Sequence, residues 1–171
     1  MKRNLTLLSA LVALCLTVFA PMVACAQSDD ASDLSKDWTI RLGAFIANNK
    51  QTRSKIGSIA IAGFADRTVF DGEQYKLTVG IGYLGDDTFY SIPIILNVVF
   101  KHDRLYYGGG VGYGFAKRLD GRSIGAISMD ALIGTQLTKG KNAMTAELRY
   151  NFTGGSENEM DGFSLTLGIH L

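Results

Sequence analysis

Apolar and polar residues alternate along most of this chain from residue 38 onward. In LYYGGGVGYGF, residues 105–115, one alternating set holds tyrosine, valine and phenylalanine, and the other is almost entirely glycine. A period of two places such sets on opposite faces of a β-strand. The same alternation predicts seven further strands, at residues 38–47, 57–70, 75–84, 91–100, 125–137, 143–152 and 163–171. In the segment 57–70 the phase is ambiguous after Gly63, which indicates a β-bulge.

Eight strands of about ten residues, separated by polar turns, predict an all-β protein, an eight-stranded antiparallel up-and-down β-barrel. One face of each strand is apolar, whereas the other mixes glycine with charged or titratable side chains, namely Arg41, Lys76, Asp130, Glu147, Arg149 and His170. A soluble, lipocalin-like barrel would leave these glycines in water, where they add neither packing nor solubility. We therefore predict a transmembrane barrel whose apolar faces meet lipid, with the soluble barrel as the alternative.

Aromatic residues near the predicted strand ends are typical of the girdles that membrane barrels place at the two lipid–water interfaces. They are Trp38, Tyr75, Tyr83, Phe89, Phe100, Tyr107, Phe115, Phe152 and Phe163. Lipid also requires that the sheet close, because an open edge would leave backbone groups unpaired in hydrocarbon.

The polar faces would then line a narrow lumen. Its glycines, Gly108, Gly110, Gly112 and Gly114, are predicted to make room for long charged side chains from the strands opposite. Buried charges need partners, so the six charged or titratable residues predict a paired network that fills a closed lumen. The alternative is a gated pore whose ion pairs rearrange. Arg149 lies only two residues from Glu147, and we therefore expect Arg41 or Lys76 to be the partner of Glu147.

Residues 1–26 have the organisation of a cleaved secretory signal peptide. A basic start is followed by an uncharged apolar run, and Ala24 and Ala26 fit a cleavage site before Gln27. Lipoprotein processing at Cys25 is the alternative.

After such cleavage, residues 27–37 would form a flexible acidic leader and residues 38–171 a single barrel domain. Loss of Lys2 and Arg3 moves the formal net charge from +1 to −1. Nucleic-acid binding is not expected, because it would require a basic patch. Cys15 and Cys25 are the two cysteines of the chain, so the remainder has no disulfide framework.

The glycine-rich segment does not fit a phosphate-binding motif. Tyr113 and Phe115 stand where the dinucleotide fingerprint requires its third glycine, and no Lys-Ser/Thr pair follows. The polar residues show neither metal-ligand spacing nor a nucleophile beside a base. We therefore expect no catalytic residue, no metal site and no cofactor, and His102 is expected to be exposed in a turn at residues 101–104.

The chain resembles the small eight-stranded outer-membrane β-barrel superfamily, which includes OmpA-like, OmpX-like and OmpW-like barrels. The resemblance rests on IPIILNVVF at residues 92–100, on YYGGGVGYGF, and on GFSLTLGIHL at the end of the sequence. It implies a monomer in the outer membrane of a Gram-negative-type bacterium, in contact with membrane lipid and lipopolysaccharide, with both termini in the periplasm. It also implies that Thr166, Gly168 and Leu171 form a C-terminal signal read by the barrel-assembly machinery, with leucine in place of the usual terminal phenylalanine.

Three classes of function remain open. The first is a non-enzymatic structural or surface-interaction role in the envelope, and the second is OmpW-like transport of small or hydrophobic solutes. The third, a lipopolysaccharide-modifying barrel enzyme, needs a histidine beside a serine at the outer surface, where neither His102 nor His170 is predicted. Eight strands leave no aqueous channel, so a structural or surface-interaction role is the function that we predict.

Overall fold

The described residues form an all-β closed barrel of eight antiparallel strands, in a computed structural model that describes residues 38–139, 142–154 and 159–171. Each strand pairs with the next one along the chain, and the first pairs with the last. The predicted up-and-down barrel is therefore confirmed. The strands are β1 Trp38–Ala47, β2 Ala60–Asp71, β3 Tyr75–Gly85, β4 Tyr90–His102, β5 Leu105–Lys117, β6 Ser123–Gln136, β7 Met144–Thr153 and β8 Gly162–His170. The predicted signal peptide and leader, residues 1–37, lie outside the described residues.

The barrel has two ends that differ in their connections. The terminal end, where β1 begins and β8 ends, carries the connections at residues 72–74, 103–104 and 137–143. The opposite end carries the longer connection 48–59, which contains α1, Lys50–Ile56. We call this opposite end the helix end.

Helix α1 stands where the sequence predicted only a polar turn. Its N-cap is Asn49, whose side chain accepts hydrogen bonds from the amides of Gln51 at 2.8 Å and Thr52 at 3.3 Å. Ile56 at its last turn is buried in the apolar cluster that fills the helix end of the barrel. Among the described residues, no helix is long and apolar enough to cross a membrane.

The irregularity that the sequence predicted after Gly63 in the second strand is present. The register between β2 and β3 shifts between Thr68 and Phe70. Upstream of this shift Phe64 and Asp66 are buried, so the alternation continues unbroken through Gly63. Asp66 is therefore an inward residue that the sequence reading missed.

The two faces of the wall differ in polarity as the alternation predicted. Large apolar side chains are exposed on the outside of all eight strands; Leu42, for example, is 66% exposed and Leu165 61%. Arg41, Glu147 and Arg149 are buried inside, at 4% exposure or less.

Outward aromatic residues form a row near the terminal end. Ring centroids are 5.5 Å apart for Phe70 and Tyr75, 6.4 Å for Tyr75 and Phe100, and 5.7 Å for Phe100 and Tyr107. Phe89 does not follow the predicted outward pattern, because it packs against the buried cluster at the helix end.

Candidate functional site

The middle of the barrel holds a network of buried charged side chains that come from four strands. Its members are Arg41 on β1, Asp66 on β2, Asp130 on β6, and Glu147 and Arg149 on β7. The sequence predicted four of these five. The other two residues of the predicted network, Lys76 and His170, lie in a pocket nearer the terminal end.

Arg149 is the centre of this network. Its guanidinium donates to Asp130 Oδ2 at 2.9 Å and to Glu147 Oε1 at 2.8 and 3.0 Å, and Nη2 lies 3.5 Å from Asp66 Oδ2. The guanidinium carbon also lies 4.3 Å from the ring centroid of Phe64, at a distance suited to a cation–π contact. Arg149 therefore forms ion pairs with three carboxylates.

Arg41 is the second cation of the network. It forms an ion pair with Asp66, and its Nε lies 3.3 Å from Glu147 Oε2. The expectation that Glu147 pairs across the lumen with Arg41 or Lys76 was thus incomplete, because Arg149 on the same strand makes the shorter contacts. In a narrow interior the two long side chains bend toward each other although their Cα atoms are only two positions apart.

Side chains also meet across the lumen, between strands that are not neighbours. Ser91 on β4 and Thr153 on β7 are joined by a hydrogen bond of 3.2 Å. At the helix end, Phe45, Leu84 and Met160 are at most 1% exposed and belong to one apolar cluster. The described residues therefore place a charged layer in the middle of the interior and an apolar layer at the helix end.

Inward glycines make the charged layer possible, although not in the way that the sequence suggested. The lumen glycines of β5 were expected to admit side chains from opposite strands, but β4, the adjacent strand, takes this space. A Cβ on Gly110 would overlap the amide of Asn97 and Cγ2 of Ile95, and a Cβ on Gly108 or Gly112 would overlap the β4 backbone. A Cβ on Gly114 would meet Ser128 on β6.

The same arrangement recurs around the wall, since large inward residues stand directly opposite a glycine of the adjacent strand. These pairs are Arg41 and Gly168, Phe64 and Gly82, Asp66 and Gly80, Asn97 and Gly110, and Tyr106 and Gly134. A Cβ on Gly80 would collide with the Asp66 carboxylate. Glycine therefore lets each large side chain lie over the neighbouring strand.

Asn97 extends the network to a fifth strand. The residue is fully buried, and with its amide nitrogen turned toward Asp130, the orientation that pairs a donor with an acceptor, it donates to Oδ1 at 2.7 Å. Its role was not visible in the sequence, where a single asparagine among apolar residues has no distinguishing spacing.

A pocket of about 180 Å³ opens between the charged layer and the terminal end. Its lining includes Lys76, Lys101, Arg104, Tyr106, Thr145 and His170. His170 Nδ1 lies 3.0 Å from the hydroxyl of the buried Thr39. Lys76 Nζ lies 5.8 Å from the ring centroid of Tyr106, which also lines the pocket.

The helix end is held together by polar contacts of its loops. Asp161 accepts hydrogen bonds from the backbone amides of Thr153 at 2.9 Å, through Oδ1, and of Asn48 at 2.8 Å, through its carbonyl. Burial raises the pKa of the Asp161 carboxyl, and the hydrogen bond from Thr153 opposes this effect. Glu159 accepts from the amide of Leu119 at 2.9 Å, which ties two loops together.

The other residues singled out in the sequence are those of the predicted C-terminal signal and His102. Thr166 and Gly168 are inward on β8, Leu171 is exposed after it, and His102 is exposed at the end of β4. Within the described ranges, no group of three or more histidine, cysteine, aspartate and glutamate side chains could hold a metal ion. Comparison of the chain with protein-family models, curated proteins and solved structures gives no match.

Proposed function

We propose that this chain is an outer-membrane β-barrel protein with a non-enzymatic structural or surface-interaction role in the bacterial envelope. One observation carries the proposal: all eight strands expose large apolar side chains on the outside, and four of them bury charged side chains inside. This is the opposite of the arrangement in a soluble barrel.

The exposed apolar surface is too extensive for an isolated protein in water. Soluble monomers rarely expose contiguous apolar patches of more than a few hundred Å², whereas here every strand exposes at least two large apolar residues. Lipid around the barrel would remove the cost of exposing this apolar surface to water. Closure of the sheet between β1 and β8 pairs the backbone groups that hydrocarbon would leave unsatisfied. The aromatic row from Phe70 to Tyr107 fits an interfacial girdle at the terminal end.

The OmpA-like, OmpX-like and OmpW-like barrels are the family to which we assign it in this proposal. Strand number, ring order and polarity of the two faces agree with that family. A signal peptide at residues 1–26 would direct export, and Thr166, Gly168 and Leu171 would be read by the barrel-assembly machinery. The mature protein would be a monomer that contacts membrane lipid and lipopolysaccharide.

The filled interior favours a structural barrel over transport. The contact between Ser91 and Thr153 and the apolar cluster around Phe45 both occupy the path along the lumen. The enzyme alternative draws no support from His170, because its contact is the buried Thr39 at the terminal end.

The proposal is tested by fractionation together with conductance. We expect the protein to sediment with outer membranes, to migrate faster on gels when it is not boiled, and to give no steady conductance in planar bilayers. Recovery as a soluble periplasmic monomer without detergent would contradict the membrane location. A stable unitary conductance would contradict the closed, structural role and would favour transport.

A further inference from the structure

The pocket at the terminal end combines cationic groups from separate parts of the chain. Lys76 comes from β3, Lys101 from β4 and Arg104 from the β4–β5 turn. Lys101 Nζ is paired with Asp71 at 2.7 Å. Lys76 and Arg104 have no ion pair within the part of the chain that the structure describes, and Asp103 is the one acidic residue that lines the pocket there.

Tyr106 and Thr145 are buried residues of the lining. Tyr106 is 8% exposed and Thr145 2% exposed, and neither hydroxyl makes a hydrogen bond of regular geometry among the described residues. The Tyr106 hydroxyl nevertheless interacts with Thr145, Arg41 and Glu147. The unpaired cations, and not these hydroxyls, therefore point to an anionic ligand.

From this geometry we propose that the terminal-end pocket binds a small phosphate-bearing anion. The ammonium of Lys76 and the guanidinium of Arg104 supply both positive charge and hydrogen-bond donors. Donors that converge from several directions suit the oxygens of a phosphate. The volume of about 180 Å³ is sufficient for an anion of this size together with water.

A competing role for Lys76 must be distinguished from this one. The charged layer beneath the pocket contains three carboxylates and two guanidinium groups, so Lys76 could act only as a distant counter-charge to it. That role would make Lys76 important for stability and would leave Arg104 and Asp103 without influence on any anion. Substitutions at these two exposed turn residues therefore separate the two roles.

The test is titration of the purified protein in detergent micelles with inorganic phosphate, at constant ionic strength and pH. Calorimetry would give the affinity, and amide chemical shifts would locate the site. We expect saturable binding with shifts confined to residues around the pocket. Arg104→Gln and Lys76→Gln should each weaken binding at least about tenfold, as expected for a hydrogen bond to a charged group.

Asp103→Asn is the sharpest variant, because a misfolded protein cannot mimic its effect. Asp103 has a φ of 52°, a conformation that asparagine tolerates well. The substitution removes the one acidic lining residue and should tighten phosphate binding severalfold. Arg122→Gln is the matched control, since Arg122 is an exposed cation in the β5–β6 connection at the helix end; phosphate affinity should not change.

A parallel titration with glycerol 3-phosphate distinguishes the source of the anion. Tighter binding of glycerol 3-phosphate than of phosphate would assign the pocket to a lipid headgroup, and the reverse would assign it to free phosphate. Absence of saturable binding for both probes would overturn the proposal, as would equal affinities of wild type, Asp103→Asn and Arg104→Gln. None of these outcomes depends on whether the barrel lies in a membrane, so the proposed function is tested separately.

Discussion

Arg149 has the most demanding environment of any charged side chain described in this barrel. It contacts Asp130, Glu147 and Asp66 while only 3% of its side chain is exposed. Removal of one partner from a buried ionic group leaves the others uncompensated, which costs more than the intact interaction contributes. The cations and carboxylates of the network are therefore not equivalent.

We therefore predict that substitution of the cation and substitution of the carboxylate of one ion pair cause different losses of stability. Arg149→Leu should destabilise the barrel by about 3–5 kcal/mol, because Asp130 would lose the guanidinium with which it pairs, and Asp66 and Glu147 would share Arg41. Glu147→Gln should cost less, about 1–3 kcal/mol, since the amide oxygen still accepts from Arg149. Reversible urea unfolding in lipid vesicles would measure both.

Two further variants make this comparison decisive. Arg149→Leu combined with Asp130→Asn should be less destabilising than the sum of the two single substitutions, because one stranded charge is removed. Arg122→Ala, on the exposed surface, should change stability by no more than about 0.5 kcal/mol. Equal costs for Arg149→Leu and Glu147→Gln would show that the network does not centre on Arg149.

The sequence predicted which residues are inside more reliably than it predicted their contacts. Alternation placed Arg41, Glu147 and Arg149 on the inner face, and all three are buried there. The alternation of apolar and polar residues gives no information about side-chain conformation, so it did not predict the contact between Glu147 and Arg149. Asp66 was missed because the phase of its strand was in doubt. It stands opposite Gly80, just as Asn97 stands opposite Gly110, so in both cases a large inward residue faces a glycine of the adjacent strand.

Strand β5 shows how glycine content acts at the scale of an element. Its inward glycines face β4 residues directly across the ladder, with Gly110 opposite Asn97 and Gly112 opposite Ile95. The side chains of β4 can therefore lie over β5, which brings the Asn97 amide within reach of Asp130 on β6. Helix α1 could not be predicted in this way, because its seven residues hold one apolar side chain, Ile56, and show no helical period.

The packing of β5 predicts that replacement of a glycine by alanine lowers stability where the glycine faces the interior, and does not lower it where the glycine faces outward. Gly110→Ala should destabilise by about 1–3 kcal/mol, because the new Cβ would overlap Asn97 and Ile95. Gly63→Ala, outward on β2, meets nothing closer than Leu42 Cδ2 at 3.5 Å and should be neutral or stabilising. Urea midpoints of the two variants in vesicles test this, and equal losses at both sites would contradict the assigned faces.

At the largest scale, the described residues form a barrel with an apolar outer surface and a partly charged interior. Buried charges pair with one another inside, whereas under the proposed function the outer surface contributes favourable burial only where lipid covers it. A closed ring order and alternating faces could be predicted because each follows from a period of two. The pocket at the terminal end could not, because it depends on which side chains of β3, β4 and β7 reach the same place.

At the scale of the whole barrel, we predict that a charged residue on the outer surface lowers stability more in the middle of the wall than near its end. Leu165 lies in the middle of β8, in register with Ala44 and Leu148, whereas Ile169 lies near the terminal end of the same strand. In a bilayer, Leu165→Arg should cost about 2–4 kcal/mol and Ile169→Arg about 0–1 kcal/mol, because the penalty falls toward the interface. Thr88→Arg, in the exposed β3–β4 connection, is the control and should change little. Reversible urea unfolding in vesicles gives the three values. If Leu165→Arg were as harmless as Thr88→Arg, the outer surface would face water, and the barrel would not span a membrane.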